Sequence, residues 1–310
     1  MSTRRCFTLL LMLFATGAMA QGTNSSPDVI PPEPRPKDSL PLSSLPNPHL
    51  YRMNYWVSGG FTAAAFVANV YSIPRIKEKK PLSDGELNNL NTAALNGFER
   101  WALHQKPELS GKYDKASDYA LQGTILASGL LALDKHVRKD GLRILLMYAE
   151  THAVTFSLYN FSPFGPTFQN KLRPAVYYPQ IGDEARRSGN NRNSMYSGHT
   201  ASAACAAFFA AKVYNDYHPE FSFGKKYLIY TAAAIPPLVQ GYLRMKALKH
   251  FPSDILIGYI IGATCGVAVP EMHRFKKQAI RYGVEMNPNG DGAGLTLRWQ
   301  PRYERPAVRL

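Results

Sequence analysis

Six apolar stretches of helical length, none strictly alternating, constrain this chain more than any other feature. They run over residues 55–73, 119–133, 142–159, 200–213, 227–243 and 255–269. Most are rich in Ala, Leu, Ile and Met with small residues between. A half-buried strand alternates apolar and polar positions, whereas a packed helix shows a 3.6-residue period or is apolar all round. The pattern predicts an all-α fold, a bundle of about six core helices. A hydrophobic fraction of 45 % against 19 % charged residues excludes a disordered chain. One short segment departs from the helical pattern. Residues 294–299 alternate after the turn-like stretch 287–292, and read as a strand.

The two ends read differently from the middle. Arg4 and Arg5 precede an apolar run over 7–15, and Ala18-Met19-Ala20 follows. That order of charge, apolar core and small residues is a secretory signal peptide over 1–20, with cleavage after Ala20. The alternative is a first membrane anchor. Cleavage takes the net charge from +14 to +12. Residues 27–48 then hold eight of the 23 prolines, a density no helix or central strand tolerates. The division expected is a leader (1–20), a Pro-rich linker (21–50), a helical domain (51–275) and a C-terminal tail (276–310). Beyond the leader only Cys205 and Cys265 remain, both in apolar runs, so buried free thiols are expected rather than a disulfide.

Several stretches reach only about 15 apolar residues where a membrane span needs about 20. The basic residues nevertheless cluster. Lys135, Arg138, Lys139 and Arg143 follow the second stretch; Lys212, Lys225 and Lys226 flank the fourth and fifth; Arg274, Lys276, Lys277 and Arg281 follow the sixth. With helices alternating up and down, all three clusters share one side, and segments 160–199 and 244–254 share the other. This is a positive-inside pattern, and it makes the bundle membrane-embedded or membrane-associated. A cleaved leader puts residue 21 outside, so either 55–73 does not span or the leader is retained as an anchor. For an exported basic chain with no zinc-finger spacing and no RNP-type signature, nucleic acid is excluded as partner in favour of a phosphate-bearing lipid or metabolite.

Three short segments carry chemistry: Lys171-Leu172-Arg173-Pro174, Ser197-Gly198-His199-Thr200 at the head of an Ala-rich helix, and Arg244 followed by His250 and Asp254. Arginines offer planar donors matched to phosphate oxygens. A helix start beginning Ser-Gly-His offers a hydroxyl, free N–H groups and the positive dipole end. Asp254, four residues after His250, can accept from one imidazole nitrogen and leave the other free, and Pro252 places a helix start between them. Two histidines, two arginines and a helix N-terminus suit phosphoryl transfer through a phosphohistidine. Two arginines beside the histidines also disfavour a metal there, and no cofactor is implied.

In order and spacing, Arg173-Pro174, Ser197-Gly198-His199 and Arg244…His250…Asp254 resemble the type 2 phosphatidic acid phosphatase family, which includes class A acid phosphatases and vanadium haloperoxidases. The resemblance covers roughly residues 117–270. It implies a helical bundle with His250 as nucleophile, Asp254 orienting it and His199 as general acid. Arg173, Arg244, Ser197 and Gly198 would hold phosphate. The sequence departs from the family at Pro166, where a phosphate-binding lysine is expected, at Tyr196 for a proline, and at Leu243 for a serine. Either Lys171 substitutes for that lysine or the site lacks one cation. Tyr177, Tyr178 and Tyr196 either line the pocket mouth or pack. The resemblance implies a metal-independent phosphatase of the cell envelope, its site on the extracytoplasmic, periplasmic side, acting on a phosphorylated lipid. A broad-specificity periplasmic acid phosphatase and a non-catalytic phospholipid binder are the alternatives.

Overall fold

The computed structural model describes residues 49–274, 278–286 and 293–301. The expected leader, nearly all of the Pro-rich linker and the turn at 287–292 lie outside the described residues.

Each apolar stretch lies in a helix: α1 (Tyr55–Lys77), α2 (Ser110–Ala127), α3 (Gly141–Phe161), α4 (Gly198–Tyr217), α5 (Phe223–Lys246) and α6 (Pro252–His273). The second stretch was expected over 119–133; α2 starts nine residues earlier and passes into a 3-10 segment, Ser128–Leu133. Its first turns are polar, so the apolar pattern does not mark them. Local chemistry sets several helix starts. Asn54 caps α1 by accepting from the N–H groups of Trp56 and Val57, and Ser197 caps α4 through Thr200 N–H. Pro252, whose missing N–H costs nothing at a first helical position, opens α6. The bundle is thus all-α in its core. The expected strand is found as β2 (Ala293–Pro301), antiparallel to β1 (Gln278–Met286).

Helix α4 is the central element, with α6, α5, α2 and α3 packed around it. Its buried side chains are mostly small, among them Ala201, Ala203, Ala204, Ala206, Ala207 and Ala211, which allows short interaxial distances. The tightest crossing is with α6, where Gly258, Gly262 and Gly266 recur every fourth residue. A Cβ on Gly262 would lie 2.0 Å from the carbonyl oxygen of Ala201, and one on Gly258 2.4 Å from that of Ser197. Backbone therefore packs on backbone, and the head of α6 is pinned against the head of α4. Cys205 and Cys265 are free and buried in this same region.

The helices alternate in direction, so both segments 160–199 and 244–254 come to one end. The opposite end holds Tyr51, Val137, Ile144, Met147, Phe209, Val213 and Val269 in one apolar cluster. It also holds Lys135, Arg138, Lys139, Arg143, Lys212, Lys225, Lys226 and Arg274. Part of that charge is internally paired. Lys212 is bound to Asp216 and Glu271, Arg143 to Asp140, and Arg274 to Asp216. Helix α1 enters beside Arg274, through a bridge from Tyr51 and a 2.7 Å bond from Arg52 N–H to the His273 carbonyl. It therefore runs in the same sense as α3 and α5.

The glycine crossing is open to test. Gly262→Ala is expected to destabilise by about 1–3 kcal/mol through forced overpacking. Gly59→Ala in α1, where a Cβ meets nothing within 4 Å, is expected to be neutral or to stabilise by less than about 1 kcal/mol. Denaturant unfolding of the two variants measures this, and equal midpoints would contradict it.

Candidate active site

The site end is built from loops stitched together by backbone bonds. Arg173 N–H donates to Asn191 O at 2.8 Å, Ser194 N–H to Lys171 O at 3.0 Å, and Ala175 N–H to Leu248 O at 3.1 Å. Ser197 N–H donates to Asp254 O at 3.0 Å, joining the starts of α4 and α6. The turn between α5 and α6 contains Leu248 at φ 59°, a left-handed conformation that costs a β-carbon residue roughly 1–2 kcal/mol. Complete burial of its side chain and the bond from Ala175 hold it there. This strained turn carries the chain from Arg244 to His250 in a few residues.

His250 is buried, and its Nδ1 lies 2.6 Å from the carbonyl oxygen of Ser194. The carbonyl can only accept, so Nδ1 carries the proton and Nε2 keeps its lone pair. Burial, then the charges of Arg244 and Arg173, hold the imidazole pKa well below its ordinary value. The side chain is therefore neutral at physiological pH, with one nucleophilic nitrogen.

The expected contact between Asp254 and the His250 ring is not formed. Asp254 is fully buried, and its carboxylate faces the other way. Oδ1 accepts from Lys171 Nζ at 2.7 Å; Oδ2 accepts from Ser194 Oγ at 2.6 Å and from Phe251 N–H at 2.9 Å. The physical reason is the helix start. At the third residue of α6 the carboxylate reaches back to the N-cap N–H, the geometry an acid adopts in a capping box. Asp254 therefore acts on His250 indirectly, by holding Ser194, whose carbonyl receives the ring.

Lys171 is likewise not free to hold phosphate. Its ammonium is bound to Asp254, to Glu99 Oε1 at 2.7 Å and to Ser253 Oγ at 2.9 Å. A second lysine, Lys79, reaches the loop containing Pro166 and donates to Pro166 O, Gln169 O and Asn170 Oδ1. Both lysines near the first motif serve to fold it. Of the two alternatives at Pro166, the bonds that Lys171 makes favour a site with one cation fewer.

The two arginines do have capacity. Arg173 is buried, makes no ion pair among the described residues, and leaves Nε without a hydrogen-bond partner. Burial pulls its pKa down to about 10, so it remains charged at neutral pH. Arg244 is also buried, bound through Nη1 to Asp114 Oδ1 at 2.7 Å and Ser117 Oγ at 3.1 Å, with Nε unpartnered. Unsatisfied buried guanidinium N–H groups are costly unless a ligand takes them up. Their chemistry suits an anion. Gly198 opens α4 beside them, where a Cβ would stand 3.0 Å from the Tyr159 ring.

His199, the first-turn residue of α4, bonds through Nε2 to Asp118 Oδ1 at 3.0 Å. Asp114 takes a second cation, Lys249 Nζ, on Oδ2 at 2.9 Å. Sequence reasoning missed Asp114, Asp118, Ser194, Glu99 and Lys249. The pair on α2 left one available trace, two aspartates four apart just before an apolar run. Tyr196 is fully buried against Tyr159, and Tyr177 packs on Phe251; both are packing residues. Among the described residues no group of three or more His, Cys, Asp or Glu side chains is arranged to hold a metal.

The sequence model of the PAP2 superfamily matches residues 141–278. That stretch, somewhat under half of the chain, contains all three motifs and the helices α3 to α6 that present them, in agreement with the resemblance read from the motifs. Among solved structures the chain is similar to a crystal structure described as the first transmembrane PAP2 type phosphatidylglycerolphosphate phosphatase from Bacillus subtilis. The identity is 19 %, the match covers 68 % of this chain and 94 % of that one, and the TM-score is 0.39. No curated protein matches the chain.

The assignment of cations is testable by calorimetric titration with inorganic phosphate. Arg173→Gln is expected to weaken binding roughly 10- to 100-fold, the loss of a charged hydrogen bond. Lys171→Gln is expected to change it less than about threefold while lowering the melting temperature, because it leaves buried Asp254 unpaired. The reverse ranking would reassign the anion site.

Proposed function

We propose that this chain, whose residues 141–278 are a PAP2-superfamily domain, is a metal-independent phosphatase acting on a phosphorylated lipid through a phosphohistidine. The observation that carries the reading is a neutral, buried His250 with one unpartnered nitrogen, set among buried arginine N–H groups that no described residue satisfies.

In this reading His250 Nε2 attacks phosphorus, and the bond from phosphorus to the ester oxygen breaks as the new P–N bond forms. The non-bridging oxygens are held by Arg173, Arg244 and the N–H groups at the head of α4, which neutralise charge as it builds. His199, alone neutral because burial and Arg244 pull its pKa down to about 4, takes up a second proton as the phosphate dianion binds; it gives its Nδ1 proton to the departing alkoxide and then takes one from water. That water attacks phosphorus, the P–N bond breaks, and inorganic phosphate leaves. Asp118 fixes the ring of His199 so that Nδ1 is the nitrogen offered to the leaving group. Asp254 and Lys171 position the Ser194 carbonyl against His250 and do not touch the substrate.

A lipid substrate is supported by the surface. Trp56 is 91 % exposed, Leu126 76 % and Phe223 82 %, and α1, α3 and α5 carry further exposed Phe, Leu, Val and Tyr side chains. So much apolar surface on several helices suits a lipid environment rather than water. Among the described residues one helix, α6, is long and apolar enough to cross a membrane. The protein is accordingly assigned to the cell envelope as a membrane-associated enzyme. Its site end lies opposite the basic end and on the extracytoplasmic side.

With a chelator present, the protein is expected to release phosphate from phosphatidic acid, and His250→Ala to lower the rate at least about 1,000-fold. The pH profile gives a second check. His250 must be unprotonated to attack, and Arg244 helps keep it so; activity should persist on the acid side well below the ordinary histidine pKa of about 6.5. Arg244→Gln raises that pKa, so its activity should fail at a higher pH as acid is added. An unchanged acid limb, or release that requires added metal, would contradict the mechanism.

A further inference from the structure

Between α2, α4 and α5 lies an open apolar groove of about 570 Å³. Its walls are continuations of the helix faces that build the site. On α2, Asp114 and Ser117 meet Arg244, and Ala120, Thr124 and Ala127 follow at spacings of three and four along the same face. On α4, His199 is followed by Ala207 and Ala210, eight and eleven residues on, about 12 and 16 Å down the helix. On α5, reading back from Arg244, Pro236 and Ala233 are eight and eleven residues away. Small side chains on three walls keep the groove open over the part nearer the site, and Leu131, Tyr214, Ile229 and Asp134 line its far end.

A second observation lies between groove and site. Gln240, one turn from Arg244 on that same face of α5, is fully buried, yet neither its amide oxygen nor its amide nitrogen has a hydrogen-bond partner. A buried, wholly unsatisfied amide is rare in folded proteins and calls for a polar group that the described residues do not supply.

We infer that the groove between α2, α4 and α5 is the binding site for the hydrocarbon chain of the phosphorylated lipid, with Gln240 meeting the polar atoms that join chain to phosphate. This rests on the phosphatase reading for the identity of the headgroup. The order of groups along α5 matches the order in such a molecule: a guanidinium for phosphate, an amide for the ester region, then alanine and proline for the chain.

The test uses full-length protein and a series of n-alkyl phosphates, measured first as ligands by calorimetry. Affinity is expected to rise about threefold per added methylene until the groove is filled. Gly123→Leu projects a side chain into the groove from a position where a Cβ meets nothing within 4 Å, and Ala233→Phe narrows the opposite wall. Both should flatten the chain-length dependence, leave binding of inorganic phosphate unchanged, and lower turnover of long-chain phosphatidic acid at least tenfold relative to an aryl phosphate. Gly59→Leu, on α1, is the control and should behave as wild type. Affinity independent of chain length in the wild type, or unaltered dependence in both groove variants, would overturn the inference. Chain-length-dependent binding with no phosphate release from any ester would leave the groove standing and remove the phosphatase reading instead.

Discussion

The close crossing of α4 and α6 is the constraint on which the site depends. Three glycines at four-residue intervals let the two backbones meet, and the Ser197 N–H to Asp254 carbonyl bond locks their first turns together. The Ser-Gly-His motif and the His250–Asp254 motif lie far apart in sequence. They become one site because neither helix can slide or rotate against the other without driving a carbonyl oxygen into a Cα. Interiors packed at this density have few alternative arrangements. The precision of the site is therefore inherited from packing below it rather than generated by its loops.

On that frame sits an uneven distribution of charge. Asp254, Lys171 and Glu99 neutralise one another beneath the site and satisfy Ser194, Ser253 and the head of α6. Asp114 and Asp118, from α2, balance Arg244, Lys249 and His199 on the other side. Between them Arg173 and His250 lack a carboxylate partner among the described residues, and both are buried. In the proposed function, an incoming dianion completes this environment of a cation without a counter-ion beside a neutral imidazole. Binding would then satisfy the orphaned N–H groups and place phosphorus against the lone pair, so affinity and alignment would have the same origin.

Much of this was legible in the sequence. The six helices follow from apolar stretches without alternation, and the free, buried cysteines from their apolar context. The three motifs identify the family because their spacing encodes helix starts. What escaped was whatever depends on a third partner. Asp254 lies four residues from His250, which suggests a direct contact; the capping geometry of Pro252 turns its carboxylate to Phe251 N–H and Ser194 instead. Lys171 stands near the first motif and looks available, yet Glu99, remote in sequence, already holds it. Asp114 and Asp118 occupy the polar opening turns of α2, where hydropathy gives no signal, and outside the family match. Strand β1 was overlooked although it alternates, with Ile280, Tyr282, Val284 and Met286 set against Arg281, Gly283 and Glu285 ahead of the turn-like stretch 287–292.

The central claim, that His250 carries phosphate covalently, is tested most directly by acid-free quench of the enzyme during turnover of radiolabelled phosphatidic acid, followed by peptide mass analysis. The expected result is an acid-labile, base-stable phosphate on the peptide containing His250, absent in His250→Ala and formed in the presence of chelator. Sustained phosphate release with no label on that peptide at any quench time would contradict the account, and would require direct attack by water with His250 in another role.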